Sequence, residues 1–181
     1  FTYNPSNSAV SVYTLPSGIY PDGFSVSNNI VYGGANSSST ITLFEYNLSS
    51  SSYTSLTSFI APVTNVTEPK PDNIQVYNGV IYGIINPGLG SIPFTYNIAN
   101  NSLSSLTQYE NAGVSDFLIY NNSIYAVASD GLHQCDLSFS CTQNVSSTYQ
   151  IYDSVITVDS DLNTIFGITN GGVYEFIPYI P

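Results

Sequence analysis

Residues 74–83 read Ile-Gln-Val-Tyr-Asn-Gly-Val-Ile-Tyr-Gly, two short apolar segments joined by Asn78-Gly79. Asn-Gly between alternating apolar residues is the strongest short-range signal for a β-hairpin, because both turn positions need positive φ. The chain continues through a turn rich in Gly and Pro to Phe-Thr-Tyr-Asn at 94–97 and Leu-Ser-Ser-Leu at 103–106. The whole stretch therefore predicts a meander of four short antiparallel strands.

Three further copies of this pattern occur in the sequence. The strand after the hairpin turn recurs with its aromatic residue at Tyr32, Tyr82, Tyr125 and Phe166, at spacings of 50, 43 and 41 residues. Four-stranded units that repeat at such intervals are typical of β-propeller blades. We predict an all-β protein of four antiparallel β-meander units arranged as in a β-propeller, and the drift in the spacing leaves a β-sandwich as the alternative. The predicted units cover about 24–59, 74–109, 117–152 and 155–181.

The two ends of the chain complement each other. The first four residues, Phe-Thr-Tyr-Asn, match 94–97, and the apolar residues at 10–15 match the strand that follows, whereas the last unit stops after its third strand. We therefore predict that residues 1–18 are a separate strand segment and that 19–181 form a single domain. The segment is expected to complete the last unit, either within the same chain or in a neighbouring subunit. Its expected donor-strand residues are Phe1, Tyr3, Val10, Val12, Tyr13 and Leu15.

Charge is the most unusual feature of the composition. Only 7% of the residues are charged, and the formal net charge is −11, against about 25% charged residues in an ordinary domain. This balance argues against binding to nucleic acid or to anionic membranes. A fold with so few ionisable groups loses little stability as the pH falls, which indicates adaptation to acidic surroundings. No apolar run approaches the ~20 residues of a membrane span.

Six Asn-x-Ser/Thr acceptors lie in or beside predicted turns or strand ends, where a glycan can project into solvent. They predict that N-linked glycans solubilise a surface that lacks charge. The acceptors are Asn36, Asn47, Asn65, Asn100, Asn121 and Asn144.

The two cysteines flank a short loop in the third unit. A disulfide between Cys135 and Cys141 would fix this hairpin, and a metal site would need more ligands than His133 and two thiols. A disulfide implies an oxidising compartment. We therefore expect an extracellular protein at the cell surface.

Two resemblances follow from these patterns. The strand Val-Tyr-Gly-Gly at 31–34 is similar to the double glycine of kelch-type propeller repeats, although the kelch Trp is absent. The richness in Tyr, Ser, Thr and Asn, the near-absence of Lys and Arg and the dense glycosylation acceptors resemble surface proteins of thermoacidophilic archaea. Among these, the glycosylated thread filament joins its subunits head to tail by donor strands. This resemblance implies that residues 1–15 are the donor and the last unit the acceptor.

Few residues could take part in catalysis or metal binding, and we predict no catalytic site, no metal site and no cofactor. His133 near Asp130 and Asp136 lacks a recognisable nucleophile. Glu45 and Glu175 occupy matching positions in two units, so they could serve as a pair of hydrolytic carboxylates only if the fold brought them together. The segment Asp159-Ser-Asp-Leu-Asn163 alternates oxygen ligands as calcium loops do, but Asp and Asn also suit a tight turn.

The sequence favours a non-enzymatic structural glycoprotein, a subunit of a pilus-like surface filament with a role in adhesion or cell-surface contacts. Its expected partners are copies of itself in a head-to-tail homopolymer. Two alternatives stay open. One is a monomeric secreted β-propeller that binds glycans through Tyr-rich loops, and the other is a secreted hydrolase.

Overall fold

A computed structural model describes residues 1–37, 39–61, 69–86, 91–105, 113–146, 155–169 and 172–178. These residues form strands and turns and no helix. The first two strands are β1 (Thr2–Asn4) and β2 (Ala9–Ser11). Unit 1 contains β3 (Pro21–Ser27), β4 (Ile30–Ser37), β5 (Thr40–Asn47) and β6 (Ser52–Ile60). Unit 2 contains β7 (Lys70–Tyr77), β8 (Val80–Asn86), β9 (Ile92–Asn97) and β10 (Ser102–Ser105).

Unit 3 contains β11 (Val114–Tyr120), β12 (Ser123–Ala128), β13 (Gly131–Cys135) and β14 (Cys141–Ser146). Unit 4 contains β15 (Val155–Asp159), β16 (Thr164–Thr169) and β17 (Gly172–Phe176). Each unit is one antiparallel meander whose strands pair in chain order, with four strands in units 1 to 3 and three in unit 4. The prediction of an all-β chain of antiparallel units is confirmed. No closed ring of sheets is detected over the described ranges, so the propeller arrangement stays a prediction.

The first strands of units 1 and 2 begin earlier than the sequence predicts. β3 starts at Pro21 and β7 at Lys70, where the sequence indicates loops. In both strands the pairing with the next strand shifts register near this start, at 21–23 and at 71–73. A bulge of this kind accommodates a Pro-containing segment inside a sheet, because the extra residue is left out of the ladder.

The hairpin turns are formed as the sequence predicts. Asn78 and Gly79 have φ of 49° and 75°, and Asn121 and Asn122 have φ of 49° and 60°. Two successive residues with positive φ match the right-handed twist of the flanking strands. The turn chemistry therefore sets the register of the first hairpin in each of these units.

An aromatic ring lies over the glycine of the second strand. Gly83 faces Phe94 across β8 and β9, and a Cβ at Gly83 would lie 2.2 Å from Cζ of that ring. Gly33 with Phe44 and Gly167 with Tyr174 repeat the arrangement. The Tyr-Gly motif thus has a packing function, because the missing side chain makes room for the ring of the neighbouring strand.

The apolar core consists of three clusters, and each cluster joins two neighbouring units. Units 1 and 2 meet through residues such as Leu43 and Ile74, units 2 and 3 through residues such as Ile84 and Phe117, and units 3 and 4 through residues such as Val127 and Ile156. The sheets therefore stack face to face in chain order. The stack leaves one outer face on unit 1 and another on unit 4.

Candidate assembly surfaces

The free edge of unit 4 runs along β17. In units 1 to 3 the third strand pairs on its far side with β6, β10 or β14, but β17 pairs only with β16 among the described residues. A strand edge with unpaired backbone N–H and C=O groups is a template for another strand. Within the described ranges, unit 4 therefore has one strand fewer than units 1 to 3, and β17 forms its outer edge.

The N-terminal segment does not occupy this edge. β1 pairs with β2 in a separate two-stranded sheet, with Thr2 opposite Ser11 and Asn4 opposite Ala9. The backbone N–H groups of Ser6 and Ala9 donate to the side chains of Asn4 and Asn7, which close the turn locally. The prediction that this segment completes unit 4 within the same chain is therefore wrong for this structure, and the prediction of a neighbouring acceptor remains untested.

Instead, the segment lies over the outer face of unit 1. The rings of Tyr13 and Tyr46 meet edge to face with centroids 5.9 Å apart. A pocket of about 290 Å³ remains between the segment and the sheet. Its lining residues are Phe1, Thr2, Tyr13, Leu15, Pro21, Phe24, Val26, Val31, Phe44, Tyr46 and Leu48. The segment thus covers this face loosely.

The predicted donor residues differ in their exposure. Phe1, Val10 and Val12 are exposed, whereas Tyr13 and Leu15 are half-buried. The side chain of Tyr3 lies outside what the structure describes. Exposed apolar side chains on a short strand have surface left to bury against a partner.

Three predicted glycan acceptors lie on one rim of the stack. Asn47 begins the turn after β5, Asn100 lies in the turn after β9, and Asn121 lies in the turn after β11. The backbone hydrogen bond from Leu48 N–H to Asn29 O holds two such turns of unit 1 side by side. Glycans at these positions would project from strand ends of units 1 to 3.

Of the other three acceptors, two lie within strands and one falls outside the described residues. Asn36 lies half-buried near the end of β4, on the opposite rim. Asn144 lies in β14, with a side chain that the structure does not describe. Asn65 falls outside the described residues.

Cys135 and Cys141 form the predicted disulfide across β13 and β14. Cys135 is buried in the cluster between units 2 and 3, together with Phe139 from the loop that the disulfide closes. The carboxylate of Asp136 accepts hydrogen bonds from the hydroxyl of Ser138 and from the backbone N–H groups of Ser140 and Ser138, and these hydrogen bonds lower its pKa. The loop is therefore held by a covalent bond and by local hydrogen bonds.

Replacing both cysteines by alanine is expected to lower the free energy of unfolding by about 2 kcal/mol, because the disulfide closes a short loop in the unfolded chain. Urea unfolding of the double variant measures this loss. The wild-type protein with a reducing agent is the matched control and should show a similar loss. A double variant as stable as the oxidised wild type would contradict the prediction.

A polar network joins the first strands of units 2, 3 and 4, and the sequence analysis missed it. The Asp116 carboxylate of β11 accepts hydrogen bonds from Nδ2 of Asn73 in β7 and, at 2.9 Å, from the backbone N–H of Ile156 in β15. The Gln75 side chain donates to Phe117 O at 2.5 Å and accepts from Ile119 N–H at 3.0 Å. These side chains take the place of a backbone ladder between neighbouring sheets.

Asp116 is largely desolvated by this arrangement. Burial raises the pKa of its carboxyl above the ordinary value, and the hydrogen bonds from Ile156, Phe117 and Asn73 offset part of the rise. Burial also raises the pKa of Tyr174 to about 12, and the nearby Asp116 charge contributes. Burial and hydrogen bonding therefore act on the pKa of Asp116 in opposite directions, and burial is the larger effect.

The residues considered for chemistry have structural explanations. His133 Nε2 lies 2.7 Å from Asp130 Oδ1, in the hairpin between β12 and β13. Asp159 accepts hydrogen bonds from the backbone N–H groups of Asp161 and Leu162, as expected for a tight turn. No group of three or more metal-ligating side chains occurs within the described ranges.

The two glutamates considered as a possible hydrolytic pair are not on one sheet. Glu45 lies in β5 of unit 1 and Glu175 in β17 of unit 4. The chain therefore places them at opposite ends of the stack. The residues that the structure describes also contain no helix able to cross a membrane.

Comparisons with known proteins give a fold and no family. No protein-family model and no curated protein matches the chain. The extracellular domain of a hybrid two-component system from B. thetaiotaomicron is similar, with a TM-score of 0.63, 15% identity and coverage of 91% of this chain and 22% of that chain. The computationally designed protein Ika8 has a TM-score of 0.58, 15% identity and coverage of 87% and 46%.

A protein from Lactobacillus plantarum has a TM-score of 0.58 and 9% identity, and the similarity covers 98% of this chain and 62% of that chain. At these identities the likeness shows an all-β fold of stacked antiparallel sheets. The chain corresponds to less than two thirds of the length of each of the three structures. The disulfide and the extracellular-domain neighbour are compatible with an extracellular location.

Proposed function

We propose that the protein is a non-enzymatic structural glycoprotein of the cell surface, a subunit that joins copies of itself head to tail in a pilus-like filament with a role in adhesion. In this proposal the units are propeller-like blades in an open arc. Residues 1–15 of one subunit pair along β17 of the next and become the fourth strand of its unit 4. The observation that carries the proposal is the absence of a fourth strand beside β17 in the described structure.

Strand addition at this edge has a clear energetic basis. The donated strand would pair its backbone with residues 173–176 along the outer edge of β17, and pockets for alternate side chains would give specificity. Phe1, Val10 and Val12 are exposed in the isolated chain, so their burial against a neighbour removes apolar surface from water. Releasing the segment opens the β1–β2 ladder, which has only three residue pairs, so little backbone pairing is lost.

Composition supports an exposed and acidic setting for such a filament. The chain has 12 acidic residues and one basic residue, so its surface polarity depends on neutral side chains and on the proposed glycans. Acceptors at Asn47, Asn100 and Asn121 lie at strand ends of units 1 to 3. The disulfide adds stability that an oxidising medium preserves.

Deleting residues 1–15 is expected to abolish filaments, because each subunit loses the strand that its neighbour needs. Light scattering and electron microscopy of full-length and deleted chains give the comparison. A peptide of residues 1–15 should raise the unfolding temperature of the deleted chain, and a scrambled peptide of the same composition should not. A deleted chain that still polymerises like the full chain would contradict the proposal.

Because that peptide can also bind its original place on unit 1, a second measurement locates the donated strand. Cysteines at Val12 in one copy and at Glu175 in another should form an intermolecular disulfide under oxidising conditions. A disulfide found only within single chains would place the segment in its own subunit.

One observation favours the glycan-binding alternative. The pocket of about 290 Å³ on unit 1 is lined by several aromatic rings, among them Phe1, Tyr13 and Phe24, and such rings can stack on sugars. A full-length chain that stays monomeric at high concentration, and loses sugar binding with Tyr13→Ala, would support this alternative.

A further inference from the structure

The outer face of unit 4 carries apolar residues at positions that are buried in every other unit. We call this surface the tail face and define it by Phe166, Ile168, Val173 and Glu175. In the register of the sheets, Ile168 pairs with Val173 as Val127 pairs with Leu132. Ile168 is 61% and Val173 is 73% exposed, whereas Val127 is 0% and Leu132 is 1% exposed.

The outer face of unit 1 lacks the neighbouring sheet that buries the equivalent first-strand residues in other units. We call it the head face and define it by Phe24, Val26, Val31, Phe44 and Tyr46. Phe24 pairs with the glycine of the next strand, as Ile74 does in unit 2 and Ile156 in unit 4. Phe24 is 65% exposed beneath its loose cover, whereas Ile74 is 2% and Ile156 is 8% exposed.

These two faces are the two halves of an interface that the chain forms three times internally. Leu43 of unit 1 shares a buried cluster with Ile74 of unit 2, and Leu132 of unit 3 shares one with Ile156 of unit 4. Leu43 and Leu132 occupy equivalent positions in the third strands, and Ile74 and Ile156 occupy equivalent positions in the first strands. We propose that the tail face docks on the head face of a second copy of this chain. The contact continues the stacking of sheets from one molecule to the next.

The single acidic residue of the tail face is compatible with this partner. Glu175 occupies the position that Glu45 has in unit 1. Burial raises the pKa of Tyr32, and the charge of the half-buried Glu45 beside it adds to the rise. An equivalent glutamate is therefore already accommodated at the junction of units 1 and 2.

The N-terminal segment acts as a removable cover of the head face in this scheme. Tyr13 and Leu15 contact the surface that the second copy would take, so docking displaces them. Displacement frees residues 1–15 beside β17 of the docked copy. The pairing of residues 1–15 with β17 rests on the proposed function. The docking of the two faces does not, because it follows from the stacking of the units.

The substitution Ile168→Glu tests the docking in the full-length chain. Ile168 lies in β16, one strand away from the acceptor edge, so the change leaves the backbone of β17 available. Burying an unpaired charge is costly, and we expect the dissociation constant for self-association in sedimentation experiments to rise by about tenfold or more. The matched control is Leu162→Glu, an equally exposed residue (64%) in the turn between β15 and β16, which should associate like the wild type.

Mixing two blocked variants tests the direction of the contact. Ile168→Glu keeps a functional head face and Phe24→Glu keeps a functional tail face, so each variant alone should be monomeric. Their mixture should form a 1:1 dimer and nothing larger. Self-association of either variant alone, no dimer in the mixture, or a wild-type chain that stays monomeric at all concentrations would each overturn the proposal.

The same measurements separate this inference from the donor-strand proposal. If deletion of residues 1–15 abolishes association and Ile168→Glu does not, strands are donated without docking of the faces, and the inference fails. If Ile168→Glu abolishes association and the deletion does not, the faces dock without strand donation. Loss in both cases supports both contacts.

Discussion

Replacing Phe94 by alanine is expected to lower the free energy of unfolding by about 3–5 kcal/mol, because the ring is fully buried and its loss leaves a cavity. Phe94 belongs to the cluster between units 1 and 2 and lies over the backbone of Gly83. Urea unfolding measures the loss. Phe1→Ala, which truncates a phenylalanine that is exposed in the isolated chain, is the matched control and should cost far less.

A double-mutant cycle tests whether the ring and the glycine act as a pair. Gly83→Ala alone should cost about 1–3 kcal/mol, because the added methyl group overlaps the ring. In the Phe94→Ala background the methyl group has space, so the second change should cost little or stabilise the protein. Additive effects of the two substitutions would show that the glycine is not kept for the ring.

Replacing Asp116 by alanine is expected to destabilise the junction of units 2, 3 and 4 at neutral pH. The change removes the acceptor for the backbone N–H of Ile156 and for the side chain of Asn73, at about 1–3 kcal/mol for each buried donor left unpaired. Urea unfolding at pH 7 measures the effect. Asp161→Ala, in an exposed turn, is the control and should cost less.

The same variant should alter the dependence of stability on pH. The folded-state pKa of Asp116 is raised, so the folded protein takes up this proton before the unfolded chain does. Its contribution to stability is therefore fully present below the unfolded pKa of about 3.8 and is lost as the pH rises through the folded pKa. The wild type should gain stability as the pH falls through this window, and the alanine variant should gain less.

Unfolding of both proteins at a series of pH values between 7 and 3 provides the measurement. Relief of repulsion among the other acidic groups stabilises both proteins on acidification, so the difference between their slopes isolates Asp116. Equal slopes, or a steeper slope in the variant, would contradict the prediction.

Local signals account for the parts of the fold that sequence reasoning predicted. A two-residue hairpin turn requires positive φ, which Asn78-Gly79 and Asn121-Asn122 adopt readily, and the alternating apolar residues around them select which face of each strand is buried. The cysteine pair is also a local feature. Turns, registers and the disulfide could therefore be predicted from short stretches of the chain.

The remaining features depend on contacts that are distant in sequence or compete with local ones. Asn73, Asp116 and Ile156 are about 40 residues apart, and nothing in the local pattern connects them. The likeness of residues 1–4 to residues 94–97 predicts a place beside β17. The local turn with its Asn4 and Asn7 hydrogen bonds instead folds the segment on itself.

The three separate apolar clusters have a consequence for how the molecule loses its structure. Because each cluster connects only nearest neighbours, the protein is a short one-dimensional array, and its stability is close to a sum of unit and interface terms. Within the described ranges unit 4 has one neighbouring unit and three strands, so we expect it to be the least stable unit of the array. Heat or mechanical tension should release this unit first, and a docked copy would protect it by giving it a second neighbour.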